Sequence, residues 1–102
     1  MIQIKNNHLT IINNIINKYP YDFYAFGSRT KGFARDYSDL DLCYKEYIPI
    51  ITIGMIQEDF ENSNLPFKVD LVNWNWISKD FQKLIIKDLK SMKKIPIEKN
   101  LH

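Results

Sequence analysis

A chain of 102 residues with 45% hydrophobic residues and a net charge of +2 can bury one core, and its mixed composition excludes a disordered or fibrous polypeptide. The longest apolar stretch, Tyr47 to Ile53, is interrupted by Pro49 and Thr52, which excludes a run of the roughly 20 apolar residues that a membrane helix needs. The single cysteine, Cys43, cannot close an internal disulfide, and with two distant histidines it makes a poor zinc site.

The first residues, Met1 to Asn7, show no basic stretch followed by an apolar block, so a soluble, cytoplasmic protein is expected. One domain is expected over residues 1–102, ending in a basic tail from about residue 93. Residues 68 to 102 hold eight lysines against four acids. Such a run reads as a solvated helix face and tail, and direct nucleic-acid binding is not expected from it.

In chain order, Leu9, Ile12, Ile15, Ile16 and Tyr19 recur at three- and four-residue steps, which predicts an amphipathic helix from about Asn7 that Pro20 must stop. Phe23 to Phe26 then reads as a short buried strand running into Gly27-Ser28, followed by a loop with at most a short helix opening at Ser28. From Asp39 the pattern changes to period two. Leu40, Leu42 and Tyr44 point one way, and Asp39, Asp41 and Cys43 the other. Pro49 suits the start of a second long helix with Ile53, Ile56 and Phe60 as its apolar stripe. Phe67 to Val72 alternates again and places Asp70 in mid-strand. Ser78 is a suitable N-cap for a last helix whose core stripe is expected to be Phe81, Leu84, Ile85 and Met92, ending before Pro96. Trp74 and Trp76 follow the Asp70 strand, where an aromatic can stack on a base or a partner, and core or hinge packing is the expected role.

An acidic residue inside a strand is disfavoured by propensity and by burial, so three of them on two strands call for a cation or a chemical role. Asp39, Asp41 and Asp70 are those three. Carboxylates at i and i+2 on a strand project side by side, and a shared divalent cation relieves their repulsion. All-oxygen ligands favour Mg2+ or Mn2+ over zinc. The preceding loop adds to this: Gly27 lets the backbone turn sharply beside a phosphate, and Ser28 offers a hydroxyl and an N–H. The chain has twelve lysines and only two arginines, and both of these, Arg29 and Arg35, fall between Ser28 and Asp39. An arginine fork matches phosphate oxygens as lysine does not, so this segment is suited to phosphate.

Gly27-Ser28, ten intervening residues, then Asp39-Leu40-Asp41 resembles the G-S-x10-D-x-D signature of the DNA polymerase beta-like nucleotidyltransferase superfamily. The run from Gly27 to Gly32 and on through Ser38 to Leu42 looks most like its minimal nucleotidyltransferases, except that Lys31 stands where these often have arginine. The resemblance implies an α/β (α+β) fold, a small mixed sheet packed by helices. It further implies that ATP binds through Gly27, Ser28 and Arg29, with Mg2+ (or Mn2+) on Asp39 and Asp41 and with Asp70 as the third carboxylate.

Minimal members of this kind are commonly paired with a HEPN-domain ribonuclease toxin and act as antitoxins by moving AMP from ATP onto a toxin tyrosine. That partner and that reaction are what the resemblance implies here. Two alternatives remain at the level of sequence: an antitoxin that only binds, and a nucleotidyltransferase subunit acting on a small molecule or RNA.

Overall fold

The computed structural model describes residues 2–32, 35 and 37–92. Four strands form one mixed sheet in the order β3-β2-β1-β4. Strand β1 (Tyr24–Phe26) pairs antiparallel with β2 (Leu40–Tyr44), β2 pairs parallel with β3 (Val69–Asn73), and β4 (Lys90–Ser91) lies antiparallel on the other side of β1. Helices α1 (Asn6–Ile16) and α3 (Ile50–Glu61) contribute to the core on one face, while α4 (Lys79–Ile85) packs on the other.

The alternation in β2 sorts its side chains between these layers. Leu40 and Leu42 are fully buried with Ile12, Ile16, Phe23 and Ile56 in the larger core. Cys43 belongs to the smaller cluster with Phe26 and Ile85. Burying an aliphatic side chain completely gains about 1.5–3 kcal/mol, so a one-residue slip of β2 would forfeit both leucines and drive carboxylates into the core. The register that places Asp41 is therefore enforced from the opposite face.

The helices follow the sequence closely at their starts. Helix α1 ends at Ile16 with Asn17 as its C-cap, before Pro20 is reached, and Pro49 occupies the N-cap of α3. The Ser78 side chain accepts from the N–H of Phe81 and caps α4 as expected. The two long helices are also tied at one end, where the Tyr19 hydroxyl donates to Asp59 over 2.5 Å and Lys18 meets the same carboxylate at 2.9 Å.

The end of the chain departs from expectation. Helix α4 stops at Ile85, passes through a single 3-10 turn at Ile86–Asp88, and gives way to β4. The N–H of Met92 then donates to the Phe23 carbonyl at 2.8 Å, so Met92 enters the core from beside the sheet and not from a helix stripe. Phe81 and Leu84 are 42% and 65% exposed. Trp76, expected in core or hinge packing, is exposed, while Trp74 is half-buried against Lys45. The expected basic tail lies outside the described residues.

Candidate active site

The site forms where β1 ends. The chain leaves Phe26 and turns at Gly27 with φ of +87°, a conformation that residues with a Cβ rarely adopt. Its carbonyl is held twice by Thr30, through the backbone N–H at 3.0 Å and the hydroxyl at 2.9 Å. These bonds open the one-turn helix α2 (Ser28–Lys31) immediately after the strand. A Cβ on Gly27 would stand 2.6 Å from Oδ2 of Asp41, so the loop backbone lies directly against that carboxylate.

Two pairings bring the acidic residues to the same place. Phe26 is opposite Asp41 across the antiparallel pair, and Asp41 is opposite Asp70 across the parallel one. Residues directly opposite share a face, so Asp70 projects on the same side as Asp41. Asp39 lies just before β2 and is exposed, whereas Asp41 and Asp70 are half-buried. Burial raises the Asp41 pKa above the usual carboxylate value, and the charges of Asp70 and then Asp39 push it in the same direction. Asp70 has a cationic neighbour, with Lys68 Nζ at 3.6 Å from its Oδ1.

Among the described residues no three His, Cys, Asp or Glu side chains form a metal-holding group by themselves. Mg2+ is commonly bound by one or two carboxylates together with phosphate oxygens, and an all-oxygen, mutually repelling set matches that chemistry.

Arg29 is found elsewhere than expected. It is only 4% exposed, and its guanidinium donates to backbone carbonyls: Nε and Nη2 to Ser38 at 3.0 and 2.8 Å, Nη1 to Gln3 at 2.7 Å, and Nη2 to Arg35 at 3.3 Å. The ring of Phe67 lies beneath it, 4.1 Å from ring centroid to Cζ. The fork that suggested phosphate binding is engaged with main chain. A helix of four residues has no periodicity from which an inward-facing position could be read, and arginine is rarely buried, so the sequence pointed outward.

Lys31, on the same short helix, reaches Asp88 at 3.6 Å and thereby connects α2 to the turn after α4. Phe81 of α4 contacts Phe26 edge-on, with ring centroids 6.3 Å apart, and brings an exposed aromatic to the face that carries Asp41. Neither contact was signalled by the motif. A groove of about 550 Å3 lined by residues including Tyr44, Ile53, Leu71 and Trp76 lies apart from the site, because Tyr44 and Leu71 alternate with the acidic positions and face the opposite way.

Comparison with known proteins bears on the family and the fold. The family model for polymerase beta nucleotidyltransferases matches residues 10–95. The probable protein adenylyltransferase MntA of Haemophilus influenzae is 39% identical over 90 residues, spanning 84% of this chain and 79% of the relative. Among solved structures, a toxin–antitoxin with AMP-PNP superposes with a TM-score of 0.62 at 20% identity, covering 91% of this chain and 78% of the other. A mutant of the MntA-HpeT toxin–antitoxin gives a TM-score of 0.55 at 16% identity, covering 96% of this chain and 80% of the other. At these identities the structural likeness concerns the fold: the small mixed sheet packed by helices that the motif implied.

Proposed function

Because the chain belongs to the polymerase beta-type nucleotidyltransferase family, we propose that it is an antitoxin that transfers AMP from ATP to a tyrosine hydroxyl of a HEPN-type toxin. The observation that carries the reading is the meeting of Gly27, Asp41 and Asp70 at the end of β1, a phosphate-accommodating turn placed against paired carboxylates. The name of the 39% identical relative supports protein adenylylation. The solved toxin–antitoxin structures support a toxin as the partner, and the AMP-PNP in one of them supports ATP as the donor.

In this reading the chain's residues divide the work. Gly27, lacking a side chain, lets the triphosphate come close to the backbone beside Asp41, and Ser28 offers its hydroxyl and N–H to phosphate oxygens. Asp39, Asp41 and Asp70 would hold Mg2+, and the ion once bound would neutralise charge at the phosphates and lower the cost of the developing pentavalent centre. The tyrosine oxygen forms a bond to the α-phosphorus while the bond from that phosphorus to the bridging oxygen breaks, and pyrophosphate leaves. The hydroxyl proton passes to a carboxylate oxygen of Asp70, which lies beside Asp41 on the neighbouring strand.

The test is to incubate the protein with α-labelled ATP, Mg2+ and the product of the adjacent gene, in parallel with Asp39→Ala, Asp41→Ala and Asp70→Ala. Label on a toxin tyrosine, with wild type only and abolished by chelation, is the expected result. Neutralisation of the toxin by wild type and all three variants without any label would replace catalysis with simple binding.

A further inference from the structure

Arg29 is a buried cation whose hydrogen bonds converge on the chain just before Asp39. Arg35 and Ser38 close on each other, the Arg35 N–H donating to Ser38 Oγ at 2.8 Å and the Ser38 N–H to the Arg35 carbonyl at 3.0 Å. The guanidinium bonds both carbonyls of that pair, and it chelates Ser38 with two N–H groups. The next residue is Asp39, and the one after it, Leu40, enters the sheet by donating to the Lys68 carbonyl at 2.9 Å. Phe67, under the guanidinium, precedes Lys68 on the way to Asp70. Gln3 is joined reciprocally, donating its N–H to the Arg29 carbonyl at 2.8 Å and accepting from Nη1.

We propose that Arg29 is a positioning residue that fixes the backbone from which Asp39 enters the metal site and couples it to the chain leading to Asp70. The metal part of this rests on the reading of Asp39 as a ligand given above. Only a planar fork can chelate the Ser38 carbonyl, hold two further carbonyls and lie flat on the Phe67 ring. Lysine keeps the charge and loses that geometry. A carboxylate on an exposed segment depends on its flanking backbone for direction, so loosening Ser38 weakens metal binding without touching the nucleotide.

Arg29→Lys is compared with wild type by amide hydrogen exchange and by Mn2+ titration, followed by electron paramagnetic resonance, in the presence of a non-hydrolysable ATP analogue. Exchange at the Ser38 and Leu40 amides should accelerate by about tenfold while that at Ala25 and Leu42 is unchanged. Mn2+ affinity should fall by about tenfold, as for other supports of metal ligands, with metal-free nucleotide affinity unaltered. Phe67→Leu keeps every carbonyl contact, removes the ring, and should give the same pattern more weakly, so the proposal stays testable if Arg29→Lys does not fold. Unchanged exchange at Ser38 would overturn the anchor. Nucleotide affinity falling as far as Mn2+ affinity would make Arg29 a phosphate ligand and overturn the positioning role. Wild type that binds no Mn2+ while the exchange pattern holds would refute the metal reading and leave the anchoring of Ser38 standing.

Discussion

Gly27 and Asp41 are packed so closely that a methyl group on the glycine would stand 2.6 Å from the carboxylate oxygen Oδ2. The contact joins the phosphate turn and the acidic strand into one unit. Gly27→Ala meets two obstacles, the clash with Asp41 and the φ of +87°. Strain of this kind costs about 1–3 kcal/mol. Asp41 must shift to relieve it, and a displacement of the order of 1 Å at a reacting centre lowers rates by about a hundredfold. Thermal denaturation should show the stability loss, and a transfer assay on the folded fraction the rate loss. A variant with wild-type kcat would show that the close approach has no catalytic meaning.

Asp41 also carries an electrostatic cost. Its folded-state pKa is raised by burial first and by Asp70 and Asp39 next. A group shifted upward holds its proton more tightly in the folded state, so its contribution favours folding below the unfolded carboxylate value and is lost as pH rises through the folded one. At neutral pH the ionised Asp41 therefore opposes folding of the metal-free protein. Asp41→Asn should raise Tm at pH 7 and lose the increment near pH 3, while transfer falls by about a hundredfold or more. Mg2+ with ATP should stabilise wild type and leave the variant nearly unmoved. A lower Tm for Asp41→Asn across the pH range would contradict this.

The acidic face was legible in the sequence because a strand has a period of two and its other face must be apolar: Leu40 and Leu42 fix where Asp41 points. Asp70 was readable as a mid-strand acid, but its alignment with Asp41 depends on a parallel pairing that no local pattern encodes. Strand β4 spans two residues, too few for alternation to register. The stripe assigned to the last helix failed for a related reason. Phe81, Leu84, Ile85 and Met92 fit helical spacing, but Met92 is drawn to Phe23 by the sheet edge, and only Ile85 of the other three is buried. The three backbone carbonyls that hold the Arg29 guanidinium are brought together by the fold and leave no mark in the sequence.

The pair Tyr19 and Asp59 tests the scaffold apart from the site. The Tyr19 hydroxyl bond pushes the Asp59 pKa down, helped by Lys18, and the same bond raises the Tyr19 pKa to about 12. A depressed carboxyl contributes stability above its unfolded pKa that is lost as pH falls through the folded one. A raised phenol contributes stability that is lost between its ordinary value of 10.0 and about 12. Tyr19→Phe should cost about 1 kcal/mol at pH 7, the lower end for a bond to a charged group that water still reaches. The gap in Tm between wild type and variant should close in acid as Asp59 protonates. A gap that persists at pH 2 would assign the loss to packing between α1 and α3.

Lys31 is the cation on α2 whose side chain stays accessible, 42% exposed and 3.6 Å from Asp88. With Arg29 engaged in the backbone, a phosphate contact from this helix is to be tested at Lys31. An exposed pair contributes about 0–1 kcal/mol, so Lys31→Ala and Asp88→Ala should each alter stability by less than that. Their kinetics should diverge. Losing a phosphate contact of about 1 kcal/mol raises KM for ATP roughly fivefold in Lys31→Ala, whereas Asp88→Ala frees the lysine and should leave KM unchanged or lower. Arg29→Lys should instead reduce kcat, which separates a residue that touches substrate from one that holds the site in place. If Asp88→Ala raises KM as far as Lys31→Ala does, the pair serves as a brace between α2 and the turn after α4, and the lysine makes no separate contact with phosphate.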